Sequence, residues 1–189
     1  GCIAGLCKDK LPDAIIRVFS SIGISMPGYV IASGLMIFLA VNLKVLPVNY
    51  NKPGGWVMPM LTLAIYPTSY LTRLTRASIL EVMNQDYLRT ERAKGMSEFV
   101  VVFIHALKNS LIPVITYLGP LTASILTGGF VAESVFSVPG LGRYFVSSIS
   151  SRDYTMIMGV TIFYSALIVF MNLICDILYK IVDPRIQLD

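Results

Sequence analysis

Residues 89–95 read R-T-E-R-A-K-G, and this charged stretch lies between two runs, 53–72 and 109–132, that contain no Asp, Glu, Lys or Arg. A polar segment strung between apolar runs is what a membrane protein offers to a soluble partner. The runs decide the fold. Two more, 18–43 and 154–175, are equally free of charge. A helix rising 1.5 Å per residue needs about 20 apolar residues to cross the hydrocarbon, and all four runs qualify. Without a closed barrel, only helices satisfy their own backbone in lipid. The expectation is an all-α membrane protein with four transmembrane helices.

Composition agrees. Hydrophobic residues are 55% of the 189 residues and charged residues only 14%, well below the quarter typical of soluble domains. Mean hydropathy is +0.71. The length suits a single domain over 1–189. The chain opens on Gly1 with no basic-then-apolar leader, so it reads as beginning inside a longer product. Cys2, Cys7 and Cys175 form neither a disulfide framework nor a metal-ligand pattern, and no metal is expected.

Lysine and arginine set the orientation. The N-terminus, residues 73–108 and the C-terminus carry Lys8, Lys10, Arg17, Arg73, Arg76, Arg89, Arg92, Lys94, Lys108, Lys180 and Arg185, against Lys44, Lys52, Arg143 and Arg152 on the other side. Eleven against four places the 73–108 loop in the cytoplasm. The net charge of +4 follows from this topology. With the basic residues split among loops, nucleic acid is not an expected partner.

The 73–108 loop has the makings of a mechanical part. Its first half is rich in helix formers. Gly95 can take a left-handed conformation after a helix end, with Lys94 in the last turn where it favours the helix dipole. Ser97 is placed to cap a following helix, and Ser110 another with Pro113 in its first turn. Phe99, Val102, Phe103, Ala106 and Leu107 recur at helical spacing and predict one apolar face. A mere linker would need far fewer residues. Residues 134–151, broken by Pro139, Gly140 and Gly142 and carrying Arg143, are too interrupted to span and read as an external re-entrant or amphipathic loop.

Several motifs resemble one family. Residues 84–98, N-Q-D-Y-L-R-T-E-R-A-K-G-M-S-E, followed by H-A-L-K-N at 105–109, are similar to the cytoplasmic coupling ("EAA") loop of binding-protein-dependent ABC importer permeases of the dipeptide/oligopeptide/nickel branch. F-S-V-P-G-L-G-R at 136–143 and R-D-Y at 152–154 resemble its external signatures. Ser25-Met26-Pro27-Gly28-Tyr29, Leu46-Pro47 and the closing Asp183-Pro184-Arg185 also fit. The combination looks like the B-type subunit, normally of six helices, here without the first two. It departs from the pattern where the general loop has E-A-A, and at the apolar 99–103, where relatives tend to carry arginines.

The resemblance implies a type I importer permease fold with a cytoplasmic helix–turn–helix coupling loop. It implies a multi-pass subunit of a bacterial or archaeal cytoplasmic membrane, forming half of a peptide pathway within the lipid bilayer. The implied partners are a homologous permease subunit, two ATPase subunits and an extracytoplasmic substrate-binding protein. Arg89, Thr90, Glu91, Arg92, Ala93, Lys94, Gly95, Met96 and Ser97 would meet the ATPase. No phosphate-binding G-x-x-x-x-G-K-[ST] loop occurs, so no cofactor is expected on this chain, ATP and Mg belong to the partners, and no catalytic residue is assigned. Ser25, Thr62, Thr122, Ser124 and Thr127 are candidate pathway hydroxyls, although each can equally bond its own backbone. Two other readings stand beside this one: an inactive, truncated remnant, and a membrane-embedded enzyme, for which Glu133 and Asp176 have no histidine in reach on their own spans.

Overall fold

The computed structural model describes residues 1–126 and 129–182, and every regular element in them is helical. In chain order these are α1 (Cys2–Leu6), α2 (Leu11–Ser25), α3 (Gly28–Leu35), α4 (Val57–Met83), α5 (Asp86–Ala93), α6 (Glu98–Val100), α7 (Leu107–Ser110), α8 (Ile112–Leu126), α9 (Phe130–Val135), α10 (Leu141–Ser151) and α11 (Tyr154–Val182). Met36–Asn42 prolongs α3 and Val101–Ala106 joins α6 to α7, both with π-helical hydrogen bonding. Packing divides the chain into two units, Gly1–Ser25 with Pro67–Tyr117, and Met26–Tyr66 with Leu118–Asp189. Thr127 and the D-P-R ending lie outside the described residues.

In the first unit, Gly5 of α1 leaves room for Ile79 of α4, whose Cγ2 would lie 2.8 Å from an added Cβ. Asp13, in the first turn of α2, is fully buried. Burying a carboxylate is costly unless charge and hydrogen bonds compensate. Here Arg76 of α4 donates from Nε at 2.6 Å and from Nη2 at 2.8 Å, and the Asp9 amide donates at 3.0 Å. Arg17 stands 3.7 Å away as a further cation. This pairing ties the start of α2 to α4.

In the second unit Ala32, Met58, Ala132 and Phe136 form a buried core, with Met36, Leu39, Leu46, Leu63, Val135 and Val138 packed against it. The alanines on α3 and α9 let those backbones approach, as small residues do between membrane helices.

The expected run 154–175 falls within α11, where Tyr154–Ile174 is long and apolar enough to cross a membrane. The second helical stretch that passes this test is Glu98–Thr122, which begins well before the expected 109 and includes the second arm of the 73–108 loop. The expected run 109–132 is not one helix, because α8 ends at Leu126 and α9 begins at Phe130. Nor is 18–43. Pro27 has no N–H to donate and restricts the residue before it, so α2 ends at Ser25 and α3 starts at Gly28. That broken pair passes the test only when joined. The run 53–72 lies largely in α4, which starts at Val57 and continues to Met83, far into the expected loop. Its Thr62, Thr68, Ser69 and Thr72 dilute the apolar content. By length and composition two helices of the described residues are candidate spans, or three with the broken pair, beside the four runs that the sequence offers.

Candidate functional site

The second core lies under the 84–98 stretch. Leu88, Val101 and Ala106 are buried there, with Val82, Met83 and Tyr87 packed against them. Val101 and Ala106 are five residues apart, a spacing that faces one way only where the helix widens to π geometry. Of the face expected from 3.6-residue spacing, Ala106 is buried and Val102 and Leu107 are half-buried, while Val101 takes the place in the core that Phe99 and Phe103 were expected to fill. Phe99 and Phe103 point outward, 67% and 49% exposed, and stack on each other with centroids 4.7 Å apart. One extra residue per turn rotated the apolar side.

Between α5 and α6 the chain reverses. Gly95 has φ +82°. Its amide donates to the Arg92 carbonyl at 3.0 Å, and the Met96 amide donates to the Glu91 carbonyl at 3.4 Å. These paired bonds around a left-handed glycine are the Schellman closure of a helix C-terminus. Ser97 occupies the position before α6, yet its side chain makes no capping bond, contrary to expectation. Glu98 explains how the arm is held instead. Arg92 donates from Nε at 3.0 Å and Nη2 at 2.8 Å to its two oxygens, a fork that spans the turn. Bonding to the Glu98 carboxylate raises the Arg92 guanidinium above its ordinary value. Ser110 likewise does not cap α8, because its hydroxyl donates to the Leu107 carbonyl at 2.9 Å.

The nine residues expected to face a partner separate into two sets. Arg89, Thr90, Ala93, Lys94, Gly95, Met96 and Ser97 are exposed, and Arg89 also pairs with Asp86 at 3.5 Å. Glu91 and Arg92 turn partly inward. Glu91 Oε1 lies 3.2 Å from Nδ1 of His105, a hydrogen bond when that nitrogen carries the proton. Asn109 Nδ2 donates to the Tyr87 hydroxyl at 2.8 Å, a third tie from the far arm to α5. The result is a clamped turn with a basic and apolar surface: Arg89, Lys94, Met96, Phe99 and Phe103. Glu98, Tyr87 and Asn109 escaped the sequence reading, since their partners lie across the turn and not one helical turn away.

The glycine-rich signature at 136–143 has its own geometry. Glu133 of α9 places Oε2 3.0 Å from the Arg143 amide, which donates to it at the start of α10. An added Cβ on Gly140 would overlap the Glu133 carboxyl group, and one on Gly142 would stand 2.8 Å from the Phe130 Cα. Position 142 therefore needs glycine, while a side chain at position 140 would have to displace the Glu133 carboxylate. Arg143 Nη1 donates to the Ser137 carbonyl at 3.1 Å, holding the turn in which Ser137 has φ +56°. Pro139 sits in that turn, before α10. Downstream, Arg152 ends α10 with φ +57°, and Asp153 Oδ1 accepts the Met156 amide at 3.0 Å to cap α11. The R-D-Y signature is thus a stop followed by a start.

The candidate pathway hydroxyls are scattered. Thr62 is buried and donates to the Met58 carbonyl at 2.9 Å, and Thr122 donates to the Leu118 carbonyl at 2.7 Å. Ser25 and Ser124 are exposed. Among the described residues no group of three or more His, Cys, Asp and Glu side chains could hold a metal ion.

Comparison with known proteins places these features in context. The family described as binding-protein-dependent transport system inner membrane component matches residues 1–188. The chain is 47% identical over its full length to the dipeptide transport system permease protein of Bacillus subtilis (strain 168), covering 61% of that protein. It is 41% identical to the protein of the same description from Lactococcus lactis subsp. cremoris (strain MG1363), over 96% of this chain and 60% of the relative. Against the oligopeptide transport system permease protein of Haemophilus influenzae, identity is 38% over 99% of the chain and 62% of the relative. The chain spans about three-fifths of the length of these relatives.

Proposed function

Because the chain belongs to the family of binding-protein-dependent transport system inner membrane components, we propose that it is the permease part of an ATP-driven importer of short peptides. It contributes part of a path across the cytoplasmic membrane. Energy comes from ATPase subunits that carry the nucleotide, ATP and Mg, while an extracytoplasmic binding protein delivers the peptide and a homologous permease subunit completes the path. This chain then holds no cofactor and performs no covalent chemistry. The observation that carries the reading is the clamped turn between α5 and α6. Its Schellman closure, the Arg92–Glu98 fork and the Leu88–Val101–Ala106 core make it stiff, and a push on a stiff turn moves the helices it belongs to. Its exposed surface combines Arg89 and Lys94 with Met96, Phe99 and Phe103, the mixture of cation and apolar anchor that protein interfaces favour. Residues 89–97 would meet the ATPase through it, on the cytoplasmic side. Among the candidate pathway hydroxyls, Ser25, Thr122 and Ser124 are exposed, while Thr62 is buried.

The test is uptake of a radiolabelled dipeptide by cells lacking the gene. We expect uptake to be lost and to return only when this permease and its partner subunits are supplied together. The purified permease alone should hydrolyse no ATP. ATPase activity of the purified permease alone, abolished by a point change within it, would overturn the assignment.

A further inference from the structure

Residues 43–56 connect the π-helical end of α3 to the start of α4, and their fold aims a distinctive surface away from the protein. Lys44 takes φ +52°, and the amides of Val45 and Leu46 both donate to the Leu39 carbonyl, at 3.0 and 3.4 Å. Leu46 then packs on the core while Leu43, Val45 and Val48 stay exposed, Val45 at 70%. Further on, the chain winds through two bonded turns, Lys52 amide to Asn49 carbonyl at 3.2 Å and Gly55 amide to Lys52 carbonyl at 2.8 Å. Gly55 is buried against the Tyr50 backbone, where a Cβ would lie 2.7 Å from the Tyr50 Cα. That close approach sets Trp56 edge-on against Tyr50, with centroids 5.5 Å apart at 76°. Trp56 is the chain's one tryptophan and remains half exposed.

The surface has three chemical parts. Exposed apolar side chains extend from Phe38 and Val41 through Leu43 and Val45, with Asn42 and Lys44 among them, and from Trp56 and Val57 to Met60 and Leu61. Two amphipathic rings, Tyr50 and Trp56, sit at the edge. Lys44 and Lys52 are exposed cations, and the segment contains no Asp or Glu. An ordinary water-facing loop would not expose this much apolar area, and a hydrocarbon-embedded one would not carry two lysines. Rings of this kind are stable where hydrocarbon meets headgroups, with the ring body in the apolar layer and the N–H or O–H in the polar one.

We propose that residues 43–56 form a membrane-interface anchor that binds phospholipid headgroups, with Trp56 and Tyr50 at the carbonyl level and Lys44 and Lys52 against phosphates. Exposed apolar side chains on both neighbouring helices, Phe38 and Val41 on one side and Met60 and Leu61 on the other, argue for lipid over a soluble protein. By the charge distribution this interface lies on the side opposite the 73–108 loop.

Trp56 reports on its own surroundings. The full-length protein, with the subunits it co-purifies with, is placed in nanodiscs of phosphatidylethanolamine and phosphatidylglycerol, and the emission of a Trp56→Phe counterpart is subtracted. The remaining signal should be blue-shifted relative to tryptophan in water. Lipids brominated near the glycerol end should remove more of it than lipids brominated near the chain terminus. Changing Lys44→Glu together with Lys52→Glu should shift the emission to the red in the anionic discs and leave it unchanged in phosphatidylcholine. Emission at the water position, stronger loss with the deep lipid, or no loss with either would overturn the anchor. So would shielding that appears only when a soluble binding protein is added.

Discussion

Gly95 is the position where conformation can be separated from bulk. Its φ of +82° is left-handed, yet an added Cβ there meets nothing within 4 Å. Any cost of substitution is therefore backbone strain, with no steric collision to confuse it. For an L-residue the left-handed region costs roughly 1–2 kcal/mol, less for Asn and more for a β-branched side chain. Gly95→Asn should cost under about 1 kcal/mol, Gly95→Ala about 1, and Gly95→Val about 2 or more. At about 1.4 kcal/mol per factor of ten, the valine variant should open the turn roughly thirtyfold more often. The readout is amide hydrogen exchange at residues 95 and 96, whose amides bond the Arg92 and Glu91 carbonyls. Exchange should accelerate in the order Asn, Ala, Val, while α11 keeps its protection. Peptide uptake should fall in the same order, and in Gly95→Val the ATPase should respond only weakly to the binding protein. A comparable bulk increase at Asn51 should spare that coupling. If Val exchanges no faster than Asn, the strain argument fails.

Three further outcomes follow from other contacts. Gly140→Ala should destabilise the protein through the Glu133 carboxylate it displaces, so in a double-mutant cycle Glu133→Ala should remove part of that cost, while strictly additive melting shifts would contradict the packing described. Asp13→Asn should lower the melting temperature, and exchanging the charges at positions 13 and 76 should restore part of it, whereas an unchanged melting temperature would show that the ion pair holds nothing. With native cysteines removed, Ser97→Cys should resist an impermeant thiol reagent added outside intact cells and react after permeabilisation, and outside labelling would invert the topology.

Charge-free runs located apolar helices because the cost of burying charge in lipid is written directly into composition. The start of α11 at Tyr154 was legible to the residue, since Asp153 both ends the charged loop and caps the helix. The division at Pro27 was in plain view, but proline is tolerated in many membrane helices and only packing decides. Spacing put Ala106 inside correctly but misplaced Phe99 and Phe103, because π-helical widening is settled by the fit of Val101 and Ala106 against Leu88. The Asp13–Arg76 pair joins residues 63 apart, a separation that no periodicity encodes. Glycines 140 and 142 stood out at once, but what they make room for, Glu133 and Phe130, became apparent only in three dimensions.

In the proposed importer the exposed turn meets an ATPase subunit. A photo-crosslinking amino acid at Met96, in the assembled complex in membranes, reports its neighbour directly. The account predicts a crosslink to an ATPase subunit, lost when the same amino acid is moved to Asn51. A crosslink at position 96 to the external binding protein, or to lipid alone, would contradict it.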